Sequence, residues 1–184
     1  MESGVRAFLE GLGQTFPGDD QERTPARVAK AWQEDLVSGY GTDPVAELTW
    51  TASPPGAGPV CVRDISFASV CVHHLLPFFG VAHVAYLPCE RQAGLSKIGR
   101  VVDAFARRLQ TQERLSGQIV TAVAEGLQAR GAVVVLEAEH TCMTLRGVRK
   151  ERSRMVTLAT AGIYETDVAA RGEILQLLGV RMAD

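Results

Sequence analysis

The spacing of hydrophobic positions changes several times along the chain, and each change marks an element. Val5, Phe8, Leu9 and Leu12 share one face of a helix predicted over residues 1–12. Gly18-Asp19-Asp20 should break it. A second helix is predicted from Thr24, with Thr24 as N-cap, Pro25 at the first helical position and Gly39 as the stop. Its apolar stripe is Val28, Ala29, Trp32 and Leu36. Residues 43–58 hold Pro44, Pro54, Pro55, Gly56 and Gly58, and read as a loop with a short strand at 47–51. The period then falls to two. Val60, Val62, Ile65 and Phe67 predict a strand over 59–70, and FGVAHVAYLP (79–88) predicts another, ended by Pro88. Helical spacing returns over 96–109 and 112–130, broken near Gln110-Thr111, with Leu115, Ile119, Val123 and Leu127 on one face of the second helix. Residues 132–142 and 154–162 predict two more strands, and the tail at 165–184 has one helical stretch, Arg171 to Leu178.

The order α-α-β-β-α-α-β-β implies an α+β fold with an antiparallel sheet. A length of 184 residues suits a single-domain chain, read as an N-terminal helical segment (1–45) followed by an α+β domain (46–184). Hydrophobic residues at 46% and charged residues at 22% describe an ordinary globular composition. Lys and Arg number 19 against 21 Asp and Glu, a net charge of −2, so nothing favours non-specific nucleic-acid binding. No apolar run approaches the roughly 18–20 residues that span a bilayer, and MESGVRAFLEGLGQTF lacks the features of a signal peptide. No membrane association and a cytoplasmic location are expected. Four cysteines are too few for a disulfide scaffold.

Two short motifs carry metal chemistry. Cys71-x-x-His74 lies in SVCVHHLLPF, between the first two core strands, with His73 inside it. His140-x-Cys142 ends the third core strand, where residues i and i+2 would point the same way. Each cysteine alone is more often a packed small hydrophobe. Together, Cys71, His74 and Cys142 form a Cys₂His set that leaves a fourth position open, as expected of catalytic zinc. His73 and His140 are then free for proton transfer. Cys61 and Cys89 have no partner at ligand spacing and are assigned to packing, and His83 is read as a hydrogen-bonded wall residue. Ser96-Lys97-x-x-Arg100 opens a helix and suits a phosphate, although a solvated basic face explains it as well. Arg27 and Lys30 invite the same two readings, and Arg107-Arg108 look like a solvated face. Gln112-Glu113 open the next helix, where the helix dipole alone favours a carboxylate. Arg146 could bring positive charge to the metal face.

Four colinear segments resemble the GTP cyclohydrolase I family: TPARVAKAW (24–32), SVCVHHLLPFFGVAHVAYLP (69–88), GLSKIGRVVDAFARRLQTQERLSGQI (94–119) and HTCMTLRGVRK (140–150). The resemblance implies the tunnelling fold, a four-stranded antiparallel sheet with a helix pair between strands 2 and 3, here preceded by N-terminal helices. It implies that Cys71, His74 and Cys142 bind Zn²⁺, and that His73 and His140 are catalytic, with Ser96 shuttling protons at the ribose. Gln112 and Glu113 would hold the guanine ring. Lys97, Arg100, Arg146, Arg27 and Lys30 would contact the ribose triphosphate.

The implied substrate is GTP. Its ring is opened at C8, C8 leaves as formate, and rearrangement and closure give 7,8-dihydroneopterin triphosphate, the first step towards folate, other pterins or 7-deazapurines. A homodecamer with sites shared between subunits is also implied. One departure is Val72, where the family usually has Glu. An endpoint at a formamidopyrimidine stays open. The nitrile reductase of the same fold lacks the three-ligand set present here. A nucleobase deaminase needs an H-x-E and a P-C-x-x-C, and neither occurs. A non-catalytic zinc-stabilised binding protein would be favoured by loss of His73 or His140, and both are present.

Overall fold

The computed structural model describes residues 1–13 and 19–180. In chain order the elements are α1 (Glu2–Gly11), α2 (Asp20–Ala31), β1 (Trp50–Ala52), β2 (Val60–Cys71), β3 (Pro77–Leu87), β4 (Arg91–Ala93), α3 (Leu95–Ala106), β5 (Leu109–Gln110), α4 (Gln112–Gly126), β6 (Gly131–His140), α5 (Thr141–Thr144), β7 (Met155–Gly162), α6 (Ile163–Thr166) and α7 (Val168–Leu177). The fold mixes helix and sheet. The main sheet has five strands in the order β5-β2-β3-β6-β7, rather than the four expected. The four long strands run antiparallel, and α3 and α4 lie in the connection from β3 to β6. The addition is β5, two residues paired parallel with Val70 and Cys71. Strands β1 and β4 form a separate two-stranded ribbon.

One face of the sheet packs on α3 and α4. Phe78, Ala82, Val84, Tyr86, Val134 and Leu136 meet Ile98, Val101, Leu115, Ile119, Val123 and Leu127 in the larger core. All four apolar positions read at helical spacing on α4 are fully buried, each worth about 1.5–3 kcal/mol of transfer free energy. A smaller core on the other face joins Ala85, Val133 and Val135 to Ile174, Leu175 and Leu178 of α7.

Several expected boundaries move. Helix α2 begins at Asp20, not Thr24, because Asp19 accepts the first backbone bonds and Asp20 and Glu22 suit the positive helix end. Pro25 therefore lies inside the helix, at the loss of one backbone hydrogen bond. The expected break at Gly18-Asp19-Asp20 is thus a helix start, with Gly18 outside the described residues. Gly39 is not a simple stop. The chain first passes through a π-helical turn (Trp32–Leu36), and a Cβ on Gly39 would overlap the Ala104 carbonyl of α3. On α1 only Leu9 of the apolar face is buried, and Phe8 is 66% exposed.

The predicted helix over 96–109 ends at Ala106, since residues 109–110 join the sheet. Arg108 does not lie on a solvated face. Its guanidinium donates to the carbonyls of Gly39, Ala104 and Thr42, tying α3 to the preceding segment. Helix α4 stops at Gly126 and not at 130. The tail carries two helices instead of one, the second capped by Asp167 accepting from the Ala170 N–H. Its last four residues, 181–184, lie outside the described residues. Cys89 is exposed after the turn at Pro88, so it does no packing, whereas Cys61 packs on the α7 core. His83 does accept from the Asp64 N–H, at 3.2 Å, across a β-bulge in β2.

Candidate active site

The end of β2 and the start of β3 fold the Cys71–His74 segment into a tight loop. The Cys71 N–H donates to Leu76 O, and the Leu75 N–H returns to Cys71 O, both at 2.9 Å. Leu75 takes a left-handed backbone, φ 54°, to close the turn. The Val72 N–H donates to Gln110 O, so β5 pins the loop from the other side. The third candidate ligand arrives by a route the strand pattern does not reveal. Strand β6 ends at His140, and Cys142 lies on the helical turn α5, so the same-face argument for His140 and Cys142 fails. Thr141 donates its hydroxyl to Pro77 O at 2.5 Å and thereby draws α5 to the start of β3.

The result is a cluster. The Cys71 and Cys142 sulfurs and a ring nitrogen of His74 all lie within 4.8 Å of one another, and Cys71 Sγ is 3.9 Å from His74 Nδ1. Ligands of a tetrahedral zinc ion stand roughly 3.8 Å apart, so this soft donor set fits that ion. Burial pushes the Cys142 thiol up, and the adjacent Cys71 sulfur adds to the rise; the Arg146 guanidinium opposes them. A cation between the sulfurs would relieve that repulsion. Cys71 is buried and His74 exposed, so the cluster has one open side.

His73 lies at the same edge, with Nδ1 3.9 Å from Cys71 Sγ and its ring edge-on to His74. His140 is held differently. Cross-strand register places it opposite Phe78, and the two rings stack at 4.5 Å and 5°. His140 Nε2 is 2.8 Å from Gln112 Oε1. Burial lowers the imidazole below its usual range, and the nearby Glu113 carboxylate partly restores it. Glu113 is exposed in the first turn of α4. Gln112 is 1% exposed, and its amide is occupied by the protein: Nε2 donates to Leu136 O, Met155 O and Thr157 Oγ1.

The basic residues are arranged more loosely. Arg27 pairs with Asp20 at 3.3 Å and Lys30 with Glu34 at 3.8 Å, along their own helical segment. Ser96 and Lys97 open α3, and Arg100 pairs with Glu47 at 3.4 Å. Arg146 is exposed beyond α5. Sequence reasoning missed the cores of this arrangement, Phe78 and Gln110, because neither carries a ligand or an acid–base group; only the cross-strand register marks them.

Comparison with known proteins matches residues 1–179 to the model of GTP cyclohydrolase I. The chain belongs to the GTP cyclohydrolase I family. GTP cyclohydrolase 1 of Carboxydothermus hydrogenoformans is 46% identical over 97% of this chain and 93% of its own length. That of Geobacillus kaustophilus is 46% identical over 97% of this chain and 95% of its own. A solved structure, archaeosine synthase QueF-Like in the apo form, superposes on 58% of this chain and 96% of that one, with a TM-score of 0.48 and 15% identity. Membership of the family makes this chain an enzyme of the GTP cyclohydrolase type. Among the described residues, no helix is long and apolar enough to cross a membrane.

Proposed function

We propose that this chain hydrolyses GTP at C8, releases C8 as formate and closes the remainder to 7,8-dihydroneopterin triphosphate. The observation that carries the reading is the convergence of Cys71, His74 and Cys142 within 4.8 Å, beside two further histidines, in a chain of this family. Two waters enter and one leaves on ring closure, so the sum is GTP plus water to formate and product. Cys71, His74 and Cys142 would hold zinc, which when bound supplies the Lewis acidity that makes water nucleophilic at neutral pH.

The chain's own groups do the rest. His140, beside the cluster and held by Gln112 at Nε2, passes a proton from its protonated form to the purine ring nitrogen as C8 is attacked. His73, at the exposed edge of the cluster, assists a second transfer. Glu113 accepts from the N–H donors of the guanine edge, and Ser96 serves proton movement at the ribose. Lys97, Arg100, Arg146, Arg27 and Lys30 neutralise the triphosphate. The sheet is read as the tunnelling fold with one short added strand. Strand β7 is its outer edge, with Val156 57% exposed. An open, apolar edge suits strand pairing between copies and supports a ring-forming homo-oligomer, taken as a decamer, with sites between subunits. Four free thiols and a nucleotide substrate fit a cytoplasmic location.

The test is direct. Zinc-replete protein given GTP should release formate and yield a fluorescent oxidised pterin, and chelation should stop both. Zinc-replete protein that releases no formate would falsify the reading. Formate without pterin would place the endpoint at an opened pyrimidine. His140→Ala should bind zinc normally and fail at or before ring opening; full turnover would remove the proposed role.

A further inference from the structure

The amide of Gln112 has a determined orientation. Two of its neighbours, Leu136 O and Met155 O, are backbone carbonyls and can only accept, so Nε2 must face them, at 3.0 and 2.9 Å. Thr157 Oγ1 completes that side at 3.2 Å. The oxygen Oε1 is thereby turned to His140 Nε2 at 2.8 Å. An amide oxygen only accepts, so His140 Nε2 must carry a hydrogen. The neutral ring is then fixed as the Nε2–H tautomer, with Nδ1 as its basic atom. Among the described residues Nδ1 has no hydrogen-bond partner. The stacked Phe78 ring, parallel within 5°, fixes the plane of the imidazole as the amide fixes its rotation.

From this geometry we infer that Gln112 is a positioning residue, which sets the tautomer and rotation of His140 through β6 and β7 rather than gripping the purine. The role rests on the reading of His140 given above. A residue that held the base would present an amide to the open site, but Gln112 is 1% exposed and all of its polar groups are engaged within the fold. The signal is absent from the motif, because Gln112 and His140 are 28 residues apart and meet only when α4 lies across the end of β6. Partners that orient metal-ligating histidines are worth about 10- to 100-fold in activity, and the same scale is expected for this pair.

The experiment uses full-length zinc-loaded protein with ¹⁵N-labelled histidine. In the wild type the His140 resonances should show hydrogen on Nε2 and a bare Nδ1. In Gln112→Met, similar in length but without an acceptor, both tautomers should be populated. Its kcat should fall about 10- to 100-fold, while KM for GTP stays within about twofold and zinc remains stoichiometric. A wild-type ring with its hydrogen on Nδ1 overturns the proposal, whether or not any variant folds. So does a Gln112→Met enzyme whose loss lies in KM with the tautomer unchanged. Wild-type protein that releases no formate overturns the reading of the reaction instead, and the resonance assignment tells the two failures apart.

Discussion

The metal cluster and the set of basic residues assigned to the triphosphate are built in opposite ways. Cys71, His74 and Cys142 come from two separate stretches of the chain, yet they converge on one point. Strand register, the Thr141–Pro77 bond and the turn at Leu75 hold them there. His140 is seated as firmly, between Phe78 and Gln112. The basic residues lie on α2, on α3 and beyond α5, and three of them already satisfy surface carboxylates. Such exposed pairs are worth no more than about 1 kcal/mol each, so incoming phosphate can displace them easily. The difference teaches that one chain preassembles the candidate metal cluster, whereas the proposed phosphate grip is left for substrate and, under the proposed function, a second copy to complete.

The largest expected effect breaks the preassembled side. Cys142→Ala should lose zinc from purified protein, by metal analysis, and with it all formate release; a variant that retains both would show that two ligands suffice. Next, Phe78→Ala removes a fully buried ring and should cost about 3–5 kcal/mol in chemical denaturation. It should also loosen His140, so the surviving enzyme should be slow as well as unstable. A variant that is unstable but turns over normally would detach the stacking from the chemistry.

The basic side should respond the other way. Arg27→Ala and Lys30→Ala should leave stability within about 0.5 kcal/mol, while KM for GTP rises about tenfold per lost phosphate contact. An unchanged KM would exclude α2 from the grip. The smallest effect concerns the two remaining thiols. Burial pushes the Cys61 thiol up, and Cys89 is exposed. Alkylation at neutral pH, followed by mass spectrometry, should therefore mark Cys89 well before Cys61.

The motifs were legible because ligand chemistry needs particular residue types, and Cys71-x-x-His74 with a distant Cys142 is a sparse pattern in any sequence. The four long strands and two core helices were legible from their periods, since burial of one face repeats every two or 3.6 residues. Other features were not. Leu109 read as the end of a helix and Gln110 as the break after it, because a two-residue strand has no period. Cys142 read as a strand residue because the β-propensity of residues 132–136 carried the expected strand on to 142, and only the Thr141 bond to Pro77 shows where the chain leaves it. Arg108 read as a surface charge because two of its three carbonyl partners, Gly39 and Thr42, lie more than 60 residues away.

The sequence by itself determined which side chains could carry the chemistry and which stretches would bury a face, because both follow from residue type and local spacing. The tertiary structure alone decided how those side chains are held. It placed Cys142 on a turn, gave His140 its ring partner and turned the Gln112 amide inward. Those choices depend on contacts between residues far apart in the chain, and hydrogen-bond direction at a buried amide is fixed only once all of its neighbours are in place.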